Sequence, residues 1–198
     1  MGISEDLAAT GVSVQDGYLD MVRVRALQEC LKARRRGGDF AQARIGRDAT
    51  LQENPDVRGD RTCWLCAPLF AAEDELLLDL ERLRLQLNRD LYLGLFELEL
   101  QYAWYSPGAR YERHIDNARG AAARPAGGTR CVSLILYLND GWQAGAGGEL
   151  ELYDDHEGSR RVEPFAGRLV CFLTEGREHA VLPAQRDRFS ISGWYRAR

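Results

Sequence analysis

Arg130-Cys-Val-Ser-Leu-Ile-Leu-Tyr-Leu-Asn139 is the stretch on which the fold turns. A short, nearly continuous apolar run leaves no face for water and reads as a strand buried on both sides. Gly147-Gly-Glu-Leu-Glu-Leu-Tyr153 and Arg188-Phe-Ser-Ile-Ser-Gly-Trp-Tyr195 alternate instead, the period of strands with one buried face. Working outward, β-segments are expected over roughly 95–105, 111–116, 130–138, 148–153, 168–173 and 188–195.

The first half reads as helical. One amphipathic helix is expected from about Tyr18 to Arg36, with Leu19, Val22, Ala26, Leu27 and Leu31 on one stripe and Gly37-Gly38 ending it. A second is expected from about Ala72 to Asp90, where Leu76, Leu77, Leu80, Leu83 and Leu87 recur at helical spacing. Glu73, Asp74 and Glu75 suit its N-terminal dipole, and the run Lys32 to Arg36 suits the C-terminus of the first helix as solvated surface. Gly46 to Arg61 is polar and turn-rich, a surface excursion, and the small-residue insert Ala118 to Gly128 reads as a loop. Helices followed by many short strands give an α+β class, with helices packed on a β-sandwich or jelly roll.

The chain has 198 residues, 45% of them hydrophobic, enough to bury a core as a single domain. A net charge of −4 provides no electrostatic footprint for nucleic acid. The start, Met1-Gly-Ile-Ser-Glu-Asp6, carries no secretory pattern, and no apolar run approaches a membrane span, so a soluble cytoplasmic protein with no membrane partner is expected. Five scattered cysteines do not make a disulfide framework. Cys131 and Cys171 lie in apparent strands as core thiols. Cys63-Trp-Leu-Cys66 is a solitary CxxC without the second half of a zinc site, and reads as structural.

The chemistry is concentrated in four residues: His114 and Asp116, two apart, then His179 and Arg188. Two imidazoles and a carboxylate are the ligand set of the facial triad, which holds Fe(II) and leaves positions open for co-substrate and O₂. Spaced two apart on a strand, His114 and Asp116 would point from one face and grip one ion. Arg188 offers a planar fork for a carboxylate. The set reads as an iron-dependent oxygenase using 2-oxoglutarate. The third histidine, His156, sits in the turn Asp154-Asp-His-Glu-Gly158 and reads as solvated.

Tyr111-Glu-Arg-His-Ile-Asp-Asn117, the Arg130–Asn139 run, Gly147-Gly148, His179-Ala-Val-Leu-Pro183 and Arg188–Tyr195 together resemble the prolyl hydroxylases that modify hypoxia-inducible factor, and their bacterial relatives. Val57-Arg-Gly-Asp60 with Trp64, and Gly11 to Tyr18, extend the resemblance over almost the whole chain. It implies a double-stranded β-helix (jelly-roll, cupin-like) core with N-terminal helices packed on one sheet. The helical support would cover about 1–94 and the catalytic core about 95–198. It also implies Fe(II) on His114, Asp116 and His179, 2-oxoglutarate as co-substrate, and ascorbate. Arg188 would hold the far carboxylate of 2-oxoglutarate with Tyr137 and Tyr105 beside it. Ile135, Leu150, Ser192 and Trp194 would form the pocket wall, and Arg58, Asp60 and Arg130 would bind substrate. Asp116 argues against the related halogenases, which leave that position vacant.

The expected activity is hydroxylation of a prolyl residue, at its 4-position, in a protein substrate, with succinate and CO₂ as co-products. Bacterial relatives suggest elongation factor Tu as that substrate, and the enzyme is expected to act as a monomer. The alternative is a hydroxylase of free proline or another small metabolite, because the same iron core serves both. A nucleic-acid demethylase fits the acidic balance poorly, and a metal-free interaction module would make the His/Asp/His/Arg set coincidental.

Overall fold

Asp20 and Gly38 set the limits of the first long helix. The Asp20 carboxylate accepts the Arg23 backbone N–H at 2.9 Å, and Gly38 turns left-handed at φ +80° to close the last turn. The computed structural model describes residues 2–46, 52–116, 128–154 and 158–198. Its helices are α1 (Ile3–Thr10), α2 (Met21–Gly37) and α3 (Ala71–Leu91). Its strands are β1 (Val12–Gln15), β2 (Ala41–Gln42), β3 (Arg61–Trp64), β4 (Leu95–Tyr105), β5 (Tyr111–His114), β6 (Thr129–Tyr137), β7 (Leu150–Tyr153), β8 (Ser159–Val162), β9 (Leu169–Leu173), β10 (His179–Val181) and β11 (Arg188–Ala197). No helix among the described residues is long and apolar enough to cross a membrane.

The strands form two antiparallel sheets, one in the order β1-β9-β6-β11-β4-β3-β2 and one in the order β5-β10-β7-β8. The apolar run in β6 is explained by its position. Leu134 and Leu136 join the core under the helices, while Ile135 and Tyr137 join the cluster between the sheets with Leu150, Leu152, Val170 and Phe172. A strand covered on both faces has no use for alternation. The neighbours β4 and β11 divide the same way. Leu100, Tyr102, Ile191 and Tyr195 face the helices, leaving Tyr105, Arg188 and Trp194 for the opposite face.

Several expectations shift. The buried stripe of α2 is Val24, Leu27, Cys30 and Leu31; Val22 is exposed, as is Ala26, and Leu19 is buried ahead of the helix. The helix starts three residues later than expected because Asp20 caps it, and its buried face is the one that packs into the core beneath it. On α3 the stripe holds at Leu76, Leu80, Leu83 and Leu87, with Leu77 half-buried. Glu73 lies in the first turn of α3 as expected, where it accepts the Phe70 backbone N–H at 3.0 Å, and it does more than suit the dipole. Its side chain is fully buried, takes two hydrogen bonds from Arg34 at 2.7 and 2.6 Å, and accepts the Tyr102 hydroxyl at 3.0 Å. The basic run therefore contains one half of a buried ion pair. Gly46 to Arg61 is likewise not all surface, since Asp60 is fully buried. Cys171 is a core thiol, and Cys131 is only half-buried. The 118–127 insert and His156 lie outside the described residues.

Candidate active site

β5 and β10 pair with His179 directly opposite His114. Asp116 lies two residues beyond His114, in a bend after β5 ends. The same-strand expectation for this pair is therefore corrected: the bend, not the pleat, returns the carboxylate to the imidazoles. Its position is held by the Ser133 hydroxyl, which donates to Oδ2 at 2.5 Å. Asp116 Oδ1 lies 3.7 Å from His114 Nε2, and Oδ2 lies 3.6 Å from His179 Nε2. The donor atoms of all three residues fall within 4.8 Å of one another, a group able to hold a metal ion.

The other ring nitrogens fix the imidazoles. His114 Nδ1 is 2.8 Å from the Glu112 carbonyl, and His179 Nδ1 is 3.3 Å from that of Arg177. A carbonyl only accepts, so each Nδ1 carries the proton and each Nε2 presents a lone pair to the site. Burial, reinforced by the neighbouring His179, holds His114 well below the ordinary imidazole range, which keeps it a neutral ligand. Burial pushes the Asp116 carboxyl up, but the two imidazoles and Ser133 outweigh it and hold the group below the usual carboxylate range. Tyr111 stacks on His114 with centroids 3.5 Å apart, and Phe172 meets His179 edge-on at 4.8 Å.

Deeper in, Arg188 is almost wholly buried. Its Nε donates to the Gly148 carbonyl at 2.8 Å and its Nη1 to the Ser190 hydroxyl at 3.4 Å. The guanidinium lies 4.9 Å from the Tyr105 ring centre and 5.1 Å from that of Tyr137. Arg188 Nη2 and the Tyr137 hydroxyl are both buried and make no hydrogen bond among the described residues. No carboxylate there pairs with Arg188. A buried cation with an open donor beside an open phenol suits an incoming carboxylate. Tyr105 packs in one cluster with Val181 of β10 and with Tyr111, which joins this pocket to the histidines.

A profile of the 2OG-Fe(II) oxygenase superfamily matches residues 100–196. A Pseudomonas putida prolyl-4-hydroxylase structure superposes with a TM-score of 0.86 at 38% identity, covering 99% of this chain and 97% of that one. The chain belongs to the 2-oxoglutarate/Fe(II) oxygenase superfamily. Members use Fe(II) with 2-oxoglutarate and have a double-stranded β-helix core, which is the two-sheet arrangement described above. A Trichoplax adhaerens prolyl hydroxylase, solved with a hypoxia-inducible-factor peptide fragment, shares the fold with a TM-score of 0.84 at 24% identity, covering 98% of this chain and 87% of that one. Human Egl nine homolog 1 is 28% identical over 193 residues, 93% of this chain but 43% of that protein. The chain thus spans less than half the length of that relative.

Within this 2-oxoglutarate/Fe(II) oxygenase, the structure brings most expected residues together. Ile135, Leu150 and Trp194 are buried on the inter-sheet side with Tyr137, and Ser192 pairs with Ile135 across β11 and β6. Arg130 ion-pairs with Glu99 at 3.0 Å and covers the Trp194 ring at 3.6 Å, at the outer end of that face. Arg58 and Asp60, expected to bind substrate, form a largely buried ion pair at 2.9 Å. Cys63 packs into the core under the helices, away from the triad, and Cys66 is exposed. Sequence reasoning missed Ser133 and Gly148. Ser133 stands alone as a polar residue within an apolar run, and that was its signal. Gly148 had none beyond the Gly-Gly pair. At φ +72°, a Cβ there would meet Ala184 Cβ at 3.0 Å and Arg188 Cδ at 3.3 Å.

Proposed function

We propose that this chain is an Fe(II)- and 2-oxoglutarate-dependent dioxygenase that hydroxylates the 4-position of a prolyl residue in a protein substrate. The observation that carries this reading is the coexistence of a three-donor cluster with a buried arginine that has no carboxylate partner among the described residues. His114, Asp116 and His179 would hold the iron, and Arg188 with Tyr137 would take the distal carboxylate of 2-oxoglutarate. With both bound, the reaction converts 2-oxoglutarate, O₂ and a substrate C–H into succinate, CO₂ and a C–OH.

The chain's own residues bind, orient and exclude water. The Nδ1 contacts and Ser133 hold the three donors convergent before any ion arrives. Ile135, Leu150 and Tyr105 keep the carboxylate pocket dry, which strengthens the Arg188 contact. Arg130 and Trp194, at the outer end of the same face, would meet the polypeptide. The Pseudomonas relative, similar over its full length, supports a prolyl substrate. Elongation factor Tu is the proposed target by analogy with bacterial relatives. All five cysteines are free thiols, which supports a cytoplasmic location, and we propose a monomeric enzyme of one domain with ascorbate as accessory reductant.

The test is to incubate the purified protein with cell lysate, Fe(II) and 2-oxoglutarate, and to search peptides for gain of one oxygen on proline. The His179→Ala protein serves as control. Equal oxidation by that control would sink the triad. Robust turnover of free proline, with no oxidised peptide, would move the activity to the metabolite alternative.

A further inference from the structure

We infer that Arg58 and Asp60 form a clasp between the two sheets, and that the clasp positions His114 through the ring of Tyr111. The inference rests on the metal-site reading above and assigns these residues a role beyond contact with substrate.

β5, which ends in His114, is the edge strand of the four-stranded sheet. Its outer edge is taken by the segment before β3. Gly59 N–H donates to the Arg110 carbonyl and Glu112 N–H to the Val57 carbonyl, each at 2.8 Å, and Arg58 bridges to Tyr111. Two residues later the chain crosses to the other sheet, where Arg61 pairs with Trp104 and Thr62 with Ala103. Arg58-Gly59-Asp60 is therefore the crossover that ties the edge of one sheet to the other beside the histidines. Gly59 suits the tight approach, since a Cβ there would stand 3.2 Å from Ala109 Cβ.

The side chains lock the crossover. Asp60 is fully buried and accepts two bonds from Arg58, at 2.9 Å from Nε and 3.2 Å from Nη2. That bidentate grip sets the guanidinium plane, which lies 4.7 Å from the centre of the Tyr111 ring. Tyr111 in turn lies 3.5 Å from the His114 ring at an interplanar angle of 14°. The sequence of contacts runs from a buried carboxylate, through a fixed cation, to an aromatic plate against a metal donor. A stack constrains the tilt of the imidazole, which the single Nδ1 contact to Glu112 leaves free. A surface turn would need neither the burial of Asp60 nor a cation held against a ring that is itself stacked on His114.

The probe is Co(II) added to the purified full chain, read by visible absorption and calorimetry, with urea unfolding as the fold control. Tyr111→Phe keeps the plate and should match the parent in affinity and spectrum. Tyr111→Leu removes it and should weaken Co(II) binding roughly 10- to 100-fold, the range typical of groups that orient a ligand, with an altered spectrum. Arg58→Gln combined with Asp60→Asn removes both charges without orphaning a buried carboxylate, and should weaken binding in the same direction. If that double variant fails to fold, the Phe and Leu pair still decides. Folded Tyr111→Leu protein binding Co(II) as tightly as the parent, with the same spectrum, would overturn the clasp alone. A parent protein whose Co(II) binding survives His179→Ala would overturn the metal reading and the clasp with it.

Discussion

Replacing Arg188 with Met should move ligand affinity and fold stability in opposite directions. The guanidinium is nearly fully buried and meets two neutral oxygens, those of Gly148 and Ser190, with Nη2 left open. Removing it deletes an uncompensated donor worth about 1–3 kcal/mol. Loss of the Nε bond to Gly148 takes back about 1 kcal/mol, and methionine refills most of the volume. The metal-free, ligand-free protein should therefore hold its stability or gain up to about 2 kcal/mol in urea unfolding. Binding of 2-oxoglutarate should fall by about 2–5 kcal/mol, because its carboxylate loses the buried cation. At 1.4 kcal/mol per tenfold, that is about 30-fold to several thousand-fold. Calorimetry on the Mn(II)-loaded protein without turnover reads the second quantity. Arg188→Lys should recover part of it, as a point charge without the fork. A variant that lost several kcal/mol of stability yet bound 2-oxoglutarate unchanged would show the arginine to be a strut, and the reasoning would fail.

The remaining expectations concern the fold and its pH response. His114 is held below its unfolded value of about 6.5 by burial first and by His179 second. Below that pH the unfolded chain binds the extra proton, so metal-free stability should fall on acidification, by up to about 1.4 kcal/mol per pH unit, and stay flat above it. Asp116, also depressed, adds its share only below about pH 4. His114→Gln should flatten the range from about pH 4 to 6.5; an unchanged slope would show that His114 titrates freely. Glu73→Gln breaks a buried pair with Arg34 at 2.6 Å and should destabilise by about 3–5 kcal/mol in urea, whereas a loss under about 1 kcal/mol would mean the pair is solvent-screened. Gly148→Ala forces a side chain into a left-handed position against Ala184 and Arg188, and should weaken 2-oxoglutarate binding as well as lower stability by roughly 1–3 kcal/mol.

What could be read from the sequence follows from which forces leave a periodic trace. The apolar run in β6 and the leucines of α3 report burial directly, because a side chain's exposure is set by its own position. The triad was legible because its members are chemically rare here: three histidines in the chain, two of them facing one carboxylate. Polar partnerships leave no such trace. Glu73 and Arg34 are 39 residues apart, and in a list of charges neither differs from its solvated neighbours. Their burial depends on α2 and α3 packing side by side, which no local pattern encodes. The Asp60 clasp hid for the same reason. Asn54-Pro55 and Arg58-Gly59 look like a surface turn because they bend the chain, yet the bend carries it between two sheets. Asp116 makes the point at the site itself. The two-residue spacing suggested a strand, while the carboxylate is delivered by a bend and held by Ser133 from a strand seventeen residues away in sequence. Spacing picked out three donors that the fold brings together, but the fold delivers them by another route. The support for His114 must then be sought in Tyr111, Arg58 and Asp60, side chains that the ligand motif does not contain.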